Sequence, residues 1–203
     1  MKDAHIRAAV KRSQKAIMSV FADPMNVEAI LWAGHEIASS HVAGGVTFVF
    51  GNGGSASQAE HLVGELMGFL REESRNRTAI RAMALTTPSA SVTCVANDEG
   101  YDSVFSRQLT CLGPNDFLIG LTTSGKSENV VSAVDFHKSL MIVGTGGKHF
   151  LDVRDEVGPI VGRSIVIDSG ETPRVQEATL LALHLIAEAA EESLHRKLEE
   201  MAA

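Results

Sequence analysis

Cysteine and proline are scarce in this chain, and no hydrophobic run is long. The 203 residues include only two cysteines, Cys94 and Cys111, and five prolines. Because the two thiols form no CxxC pair and no secretory hydrophobic segment follows Met1, we expect a reduced, cytoplasmic protein without a disulfide. The longest apolar runs, such as residues 46–50, are far too short to span a bilayer.

An excess of positive charge is also lacking. The chain carries 18 basic and 25 acidic side chains, for a formal net charge of −7. Without an overall basic surface, we expect neither nucleic acid nor an anionic membrane as a partner. Hydrophobic residues make up 44% of the sequence and charged residues 21%, which is typical of a globular protein. The length favours one domain, residues 1–203.

Helical and strand-like patterns alternate along most of the chain. Residues 4–21 and 27–42 predict a leading helical hairpin over residues 1–43, broken at Asp23-Pro24, and residues 44–203 form the α/β part. The predicted strands are residues 46–50, 79–85, 116–121, 140–144 and 164–167. The predicted helices that follow the hairpin are residues 55–70, 89–96, 102–112, 128–137, 150–154 and 172–201.

The strands are continuously hydrophobic rather than alternating, which indicates burial on both faces. With helical connections between them, this pattern predicts an α/β fold with a doubly wound, five-stranded parallel sheet flanked by helices. Ligands of such folds bind at the carboxyl ends of the strands. The loops that follow the strands are therefore the first places to look for a site.

The first such loop, GNGGSA at residues 51–56, follows a strand and opens a helix. Free backbone N–H groups and the helix dipole there would face an anion. Its GxGxxA pattern also suggests a dinucleotide site, but that site requires an acidic residue at the end of the next strand. Here the next strand ends at Leu85 and is followed by Thr86-Thr87. A purely structural tight turn is the other alternative.

The second loop, GLTTSGKS at residues 120–127, satisfies the P-loop pattern GxxxxGK[ST] of nucleotide triphosphatases, and Ser164 to Asp168 resembles a Walker B strand. The loop starts only at residue 120, however, whereas the phosphate loop of such proteins normally comes first. Alternatively, the strand continues into Thr122 and hydroxyl groups surround Gly125, an arrangement that suits one phosphate monoester. A serine-rich N-cap for the next helix is compatible with either hypothesis.

Two pairs of residues offer metal ligands or acid–base groups. His61 and Glu65 are four residues apart on the helix opened by the first loop, so both side chains leave one face. Such a pair is commonly only a solvated pair, but this one follows the predicted ligand loop. Gln176 and His184 lie eight residues apart on the last helix, roughly 80° and 12 Å from each other. His184 stands among apolar residues, as a structural core histidine would.

Taken together in order, these motifs resemble a known family. GNGGSA with His61 and Glu65, ANDEGY at residues 96–101, TTSGKS at 122–127, and TPRVQE at 172–177 with His184 are similar to the sedoheptulose 7-phosphate (phosphoheptose) isomerases of the sugar isomerase (SIS) domain superfamily. The resemblance covers most of the chain. It implies an aldose–ketose isomerase that converts sedoheptulose 7-phosphate to glycero-manno-heptose 7-phosphate for heptose biosynthesis, through an enediol.

The resemblance also implies roles for particular residues. Catalysis is assigned to Glu65 and His184, and zinc to His61, Glu65, Gln176 and His184. The sugar is assigned to Asn52, Gly53, Gly54, Ser55, Glu65, Asn97, Asp98 and Gln176, and the phosphate to Thr122, Thr123, Ser124 and Ser127. A homotetramer is expected as well. Because of the rise between Gln176 and His184, we expect a neighbouring subunit to supply one of the two.

Two positions depart from the family pattern, and one further class of protein remains open. Lys126 stands where the family usually has Asn, and Phe69 stands where it frequently has Arg. Phe69 removes a possible substrate contact, unless Arg71 supplies that contact instead. These changes concern the identity of the sugar more than the reaction. The alternative class is a non-catalytic SIS-domain adaptor of the kind that binds the replication initiator DnaA, but the retained metal-ligand set favours an enzyme. Arg174 is expected to be a structural ion-pair partner.

Overall fold

A computed structural model describes residues 3–134, 137–145 and 162–203. The α-helices are α1 (Asp3–Ala22), α2 (Pro24–Val42), α3 (Gly54–Met67), α4 (Ser89–Asp98), α5 (Glu128–Val131) and α6 (Thr172–Ala202). The strands are β1 (Thr47–Gly51), β2 (Ala82–Ala84), β3 (Phe117–Thr122), β4 (Ser139–Gly144) and β5 (Gly162–Ile167). Short 3₁₀ helices cover Glu72–Ser74, Tyr101–Ser103, Ser106–Leu109 and Ser132–Val134.

The five strands form one parallel sheet in the order β2-β1-β3-β4-β5. This confirms the predicted α/β fold with a doubly wound parallel sheet. The chain moves from β1 outward to β2 and then returns to the other side of β1 to form β3. The strand order therefore reverses between β1 and β3, which is where ligands of doubly wound sheets bind.

Both faces of the three central strands, β1, β3 and β4, are buried, which explains their continuous hydrophobicity. Val49, Ile119 and Ile142 point to the face covered by the hairpin, α3 and α6. Phe50 and Leu118, their chain neighbours, point to the opposite face, together with residues from the connections on that side. This alternation is the two-residue period of a strand with a hydrophobic partner on each side.

The predicted helical hairpin is confirmed, and its capping explains the break between the helices. Asp23 is the N-cap of α2 and accepts a hydrogen bond from the Met25 N–H at 2.9 Å, while Pro24 occupies the first turn. Further along α2, the buried Asn26 side chain exchanges two 2.9 Å hydrogen bonds with the backbone of Val166 in the outer strand β5. The hairpin therefore covers one edge of the sheet.

Some element boundaries and one element type differ from the predictions. Residues 102–112 form short 3₁₀ segments instead of an α-helix; the Gln108 side chain takes the Val104 carbonyl at 2.7 Å, the acceptor that an α-helix would use. Helix α3 ends at Met67 instead of residue 70, because the Leu70 N–H donates to a side chain of α6. The β2 strand has only three residues, and α5 continues as a 3₁₀ helix. The predicted helix at 150–154 lies outside the described residues.

Three expectations about the chain's environment can be compared with the structure. Cys94 and Cys111 are both free and exposed. No helix among the described residues is long and apolar enough to cross a membrane. Arg174 has the expected structural role, because it donates to the Ala9 carbonyl at 3.0 Å and to the Ser13 hydroxyl, and pairs with Glu177 at 2.9 Å.

A close approach of α2 to α6 at Gly34 generates a prediction about stability. A Cβ atom added at Gly34 would lie 2.5 Å from the Ala189 Cβ and 2.8 Å from the Ala190 nitrogen. We expect Gly34→Ala to force the helices apart and to lower the free energy of unfolding by about 1–3 kcal/mol, measured by urea denaturation. Gly64→Ala is the matched control: Gly64 has open space around it within α3, so the same change should stabilise by about 0.5–1 kcal/mol. Equal effects of the two substitutions would contradict the close packing.

Candidate functional site

The two glycine-containing loops lie side by side at the carboxyl edge of the sheet. Strand β1 ends at Gly51 and β3 at Thr122, and Gly51 is paired with Leu121 across the two strands. The first loop then turns at Gly53, whose φ of +56° lies in the region that glycine adopts easily, and α3 begins at Gly54. The edge of the sheet thus carries the start of α3 and the Thr/Ser loop next to each other.

A hydrogen-bonded network of side chains joins these loops. Asn52 and Asn129 exchange two amide hydrogen bonds, each of 2.9 Å, and the Tyr101 hydroxyl donates to Asn52 Oδ1 at 2.9 Å. Asn129 lies on α5 and is only 2% exposed. Sequence reasoning assigned Asn52 but missed Asn129. Its only signal was an amide residue in the first turn after a loop rich in hydroxyl groups.

The second loop is a compact turn lined by hydroxyl groups. Gly125, at φ +67°, donates its N–H to Thr122 Oγ1 at 3.2 Å, and that oxygen lies 3.2 Å from Ser127 Oγ. Ser124 Oγ accepts from the Lys126 N–H at 3.2 Å. Three of the four predicted phosphate contacts therefore surround Gly125, and Thr123 lies between two of them in the chain.

The P-loop interpretation of this segment is wrong. Its first glycine, Gly120, lies inside β3, where it pairs with Phe50 of β1 and Met141 of β4. A side chain at Gly120 would collide with the Met141 sulfur, so a larger residue here would force the Met141 side chain to move. Because the strand continues to Thr122, the loop is too short to surround a polyphosphate in the way a P-loop does.

A potential metal-ligand cluster forms where α3 meets α6. His61 Nε2 lies 2.8 Å from His184 Nε2 and 3.4 Å from Glu65 Oε1. The three candidate ligand atoms all lie within 4.8 Å of one another. Two imidazole nitrogens and a carboxylate are a suitable donor set for Zn²⁺, and three protein ligands are typical of a catalytic site. All three residues come from one chain. His184 is partly buried and belongs to this cluster, so it is not simply an apolar core residue.

Gln176 lies two turns before His184 on α6, beside the start of α3. A Cβ atom added at Gly54 would lie 2.9 Å from the Gln176 Cδ, so the amide fills the space that Gly54 leaves. The Gln58 amide also donates to the Gln176 backbone carbonyl at 2.7 Å. Gln176 therefore contacts the first loop of its own chain, and its predicted role as a metal ligand stays a prediction.

Asn97 and Asp98 lie at the end of α4, on the exposed side of the first loop. The Asn97 amide donates to Asp98 Oδ1 at 2.7 Å, and both residues are exposed. Tyr101, three residues further on, contacts Asn52 and so brings this segment to the loop. The hydrogen bond to Asp98 and its negative charge raise the pKa of the Cys94 thiol, which disfavours a reactive thiolate here.

A buried ion pair supports the far end of α3. The Glu191 carboxylate on α6, whose side chain is 1% exposed, lies 3.1 Å from Arg77 Nε and accepts the Leu70 N–H at 2.8 Å. Burial by itself raises the pKa of Glu191, but the Leu70 N–H, the Ser74 hydroxyl and the Arg77 guanidinium outweigh it, so the pKa is lowered. Sequence reasoning missed both Arg77 and Glu191, because charged residues of these types usually lie on the surface.

The segment after α3 contains Phe69 and Arg71, the two residues near the departure from the family pattern. Arg71 Nε lies 3.5 Å from Glu191 Oε2, so Arg71 turns toward α6. Phe69 is exposed, and the carbon of the Arg75 guanidinium lies over its ring, 4.9 Å from the ring centre. In this structure Arg71 therefore pairs with Glu191 of α6, which does not support the alternative that Arg71 supplies the contact of the family arginine.

Known proteins resemble this chain in both sequence and fold. A model of the SIS domain family matches residues 11–143. The probable phosphoheptose isomerase of Thermoplasma volcanium is 39% identical over 160 residues, which are 75% of this chain and 76% of that protein. The phosphoheptose isomerase of Geobacter metallireducens is 32% identical over 188 residues, 91% of this chain and 95% of that one. The structure of a phosphoheptose isomerase from Francisella tularensis matches with a TM-score of 0.82 at 28% identity, covering 95% of this chain and all of that one.

The amide pair between the loops should contribute measurably to stability. Asn129→Ala removes both hydrogen bonds between the two amides. The Asn52 amide, which is partly buried, then loses these partners. We expect the free energy of unfolding to fall by about 1–3 kcal/mol in urea denaturation. Asn97→Ala is the control, because Asn97 is exposed and should change stability little. A neutral Asn129→Ala substitution would contradict a supporting role for the pair.

The lowered pKa of Glu191 predicts how its contribution to stability depends on pH. A carboxylate whose folded pKa is depressed stabilises the fold above its unfolded pKa of about 4.3, and the contribution is lost as the pH falls through the folded pKa. We expect Glu191→Gln to cost about 3–5 kcal/mol at pH 7 and progressively less below pH 4, measured by urea denaturation across this range.

The exposed Glu199, which pairs with an exposed histidine, provides the control for this experiment. Glu199→Gln should change stability little at any pH, because solvent-exposed ion pairs contribute weakly. A cost of Glu191→Gln that stays constant from pH 7 to pH 3 would show that ionisation of Glu191 does not stabilise the fold.

Proposed function

The chain belongs to the phosphoheptose isomerase family of SIS-domain proteins, and from this premise we propose that it interconverts sedoheptulose 7-phosphate and D-glycero-D-manno-heptose 7-phosphate. It is an aldose–ketose isomerase. The observation that supports this proposal most directly is the convergence of His61, Glu65 and His184 beside the two loops at the carboxyl edge of the sheet. We further propose that residues 1–203 form one SIS domain.

The two loops divide the substrate between them in this proposal. The hydroxyl groups and N–H groups around Gly125 receive the phosphate, because a nest of donors suits a phosphate monoester. The Lys126 side chain adds positive charge to the same turn. The sugar hydroxyls contact residues of the first loop and its neighbours, namely Asn52, Gly53, Gly54, Ser55, Asn97, Asp98 and Gln176.

The reaction needs two proton transfers, which Glu65 and His184 perform. One group removes a proton from C1 of the ketose, giving an enediol, and returns a proton at C2. The other moves the hydroxyl proton from the oxygen on C1 to the oxygen on C2. The carboxylate and the imidazole lie on facing helices with His61 between them, so the substrate can contact both from the open side of the cluster.

We propose that the cluster binds zinc. His61, Glu65 and His184 would hold the ion, with Gln176 as a fourth ligand, and their donor atoms fit this metal. When bound, Zn²⁺ would supply a Lewis acid for negative charge that develops on the substrate oxygens. The same acid–base set argues against a non-catalytic adaptor, which would have no need for converging imidazole and carboxylate groups.

The proposed assembly is a cytoplasmic homotetramer whose sites are completed at subunit interfaces. Large apolar side chains on the hairpin helices are exposed in the single chain, including Met18, Phe21, Met25 and Leu31. Exposed apolar groups of this kind are typical of interfaces between subunits. Because His184 already contacts His61 of its own chain, a neighbouring subunit would add Gln176 to the cluster, or substrate contacts.

Incubation of the purified protein with sedoheptulose 7-phosphate in D₂O tests the proposal. We expect product with deuterium at C2, because an enediol route exchanges the migrating proton with solvent, whereas a hydride shift does not. Glu65→Gln and His184→Gln should each lower kcat by about 10²- to 10⁴-fold, the range for loss of a positioned acid or base. Removal of metal by a chelator should lower turnover, and Zn²⁺ should restore it.

His195→Gln is the control, since His195 lies on the same helix but is exposed and pairs with Glu199. It should leave kcat unchanged. Turnover that survives in both Glu65→Gln and His184→Gln would rule out the assigned proton transfers, and deuterium at C2 of the product would rule out a hydride shift.

A further inference from the structure

We propose that Arg77 and Glu191 are positioning residues, which set the spacing between α3 and α6 that the metal-ligand cluster requires. This inference rests on the proposed function of His61, Glu65 and His184. Among the described residues, neither Arg77 nor Glu191 forms a hydrogen bond or ion pair with the substrate loops. Both act through the helices that carry the cluster.

Arg77 binds the C-terminal end of α3. Its Nη2 donates to the Glu65 carbonyl at 2.9 Å and its Nη1 donates to the Leu66 carbonyl at 2.8 Å. These carbonyls belong to the last turn, where a helix has no partners of its own for them. Because Glu65 also supplies the carboxylate of the cluster, the guanidinium fixes the backbone of a candidate ligand.

Glu191 provides the corresponding group on α6. Its carboxylate accepts from Arg77 Nε at 3.1 Å and from the Leu70 N–H at 2.8 Å, with Arg71 3.5 Å away. Glu191 follows His184 by seven residues, which is about two turns, roughly 10 Å of rise and about 20° short of two full rotations. The two side chains therefore leave the same face of α6, toward α3.

Helix α6 consequently runs in the same direction as α3 and is joined at three levels to α3 or to Arg77, which follows α3 and binds its last turn. The Gln58 amide meets the Gln176 carbonyl at the start, the His61 and His184 rings meet in the middle, and Arg77 meets Glu191 at the end. The two outer contacts are hydrogen-bonded and define how far along α3 the α6 helix lies. The distance between the middle pair depends on that setting.

The burial of the pair makes its register strict. The side chain of Arg77 is 9% exposed and that of Glu191 is 1% exposed, so neither charge has ready access to water. A shift of α6 along α3 would separate the charges and leave a buried carboxylate without partners, which is strongly unfavourable. The planar guanidinium has fixed donor directions, so it also restricts the angle between the helices.

Metal binding by the full-length chain tests this role. After removal of metal by chelation, the protein is titrated with Co²⁺, which takes the same nitrogen and oxygen ligands as Zn²⁺ and reports its coordination by visible absorption. We expect Arg77→Lys, which keeps the charge but loses the planar fork, and Glu191→Gln to weaken Co²⁺ binding by about 10- to 100-fold, the range for residues that orient metal ligands. Their kcat with the sugar phosphate should fall more than KM rises, since the substrate loops are intact.

Controls separate positioning from a general loss of stability. Leu194→Ala removes a buried side chain from the same helix, one turn from Glu191, and keeps the ion pair. It should lower the midpoint of thermal unfolding and leave Co²⁺ affinity unchanged. Because a lone buried charge could prevent folding, the double substitution of Arg77 and Glu191 by Met is measured too. It should fold, and still bind Co²⁺ about tenfold more weakly, because the fork on the Glu65 and Leu66 carbonyls is gone.

The outcomes distinguish the two levels of the proposal. Wild-type Co²⁺ affinity and kcat in Arg77→Lys, Glu191→Gln and the double variant would overturn the positioning role while leaving the cluster intact. Co²⁺ binding by the wild type that is absent, or insensitive to His61→Ala, would overturn the metal cluster itself and with it the reason for this pair.

Discussion

The pairing of β1 with β3 determines where the two loops of the candidate site lie. Because Gly51 is paired with Leu121, the two strands end at the same level, and the loops that follow them leave the sheet side by side. Strand β2 lies between β1 and β3 in the chain but pairs on the outer side of β1, so β1 and β3 are neighbours in the sheet. The switch in strand order thus creates a crevice, and the loops on its two sides bring a helix N-terminus next to a turn lined by hydroxyl groups.

The second constraint is the packing of α6 along α3. The connection from β1 leads directly into α3, so α3 is fixed by the sheet, but α6 is 31 residues long and must find its register from side-chain contacts. Buried apolar residues such as Ile186 and Leu183 supply contact area but tolerate sliding. Polar contacts at Gln58 and Glu191 are directional, so they specify one register among several that would bury similar area. The close approach of His61 and His184 follows from this register of α6 along α3.

Much of this arrangement could be predicted from sequence, and the exceptions have physical causes. The parallel sheet, the hairpin and the start of α3 follow from local periodicity, capping by Asp23 and Pro24, and the burial of both sheet faces. The spacing of His61 and Glu65 placed them on one helical face, and His184 could be added because the motifs resemble a family. The residues that join elements could not be identified. Asn129 pairs with Asn52, 77 residues away, and Arg77 pairs with Glu191, 114 residues away, and no local pattern marks such partners.

The P-loop pattern at residues 120–127 shows that one sequence pattern can occur in different structures. In GxxxxGKS the first glycine of a P-loop lies outside the strand and lets the backbone wrap a polyphosphate. Here Gly120 lies within β3, and its missing side chain makes room for the Met141 sulfur on the neighbouring strand. The remaining turn has one glycine in the left-handed region, Gly125, and hydroxyl groups that already bond to its backbone. Such a turn suits a single phosphate group, because its hydroxyl and N–H groups surround one glycine. With that glycine inside the strand, the segment does not form a P-loop, although its sequence satisfies the P-loop pattern.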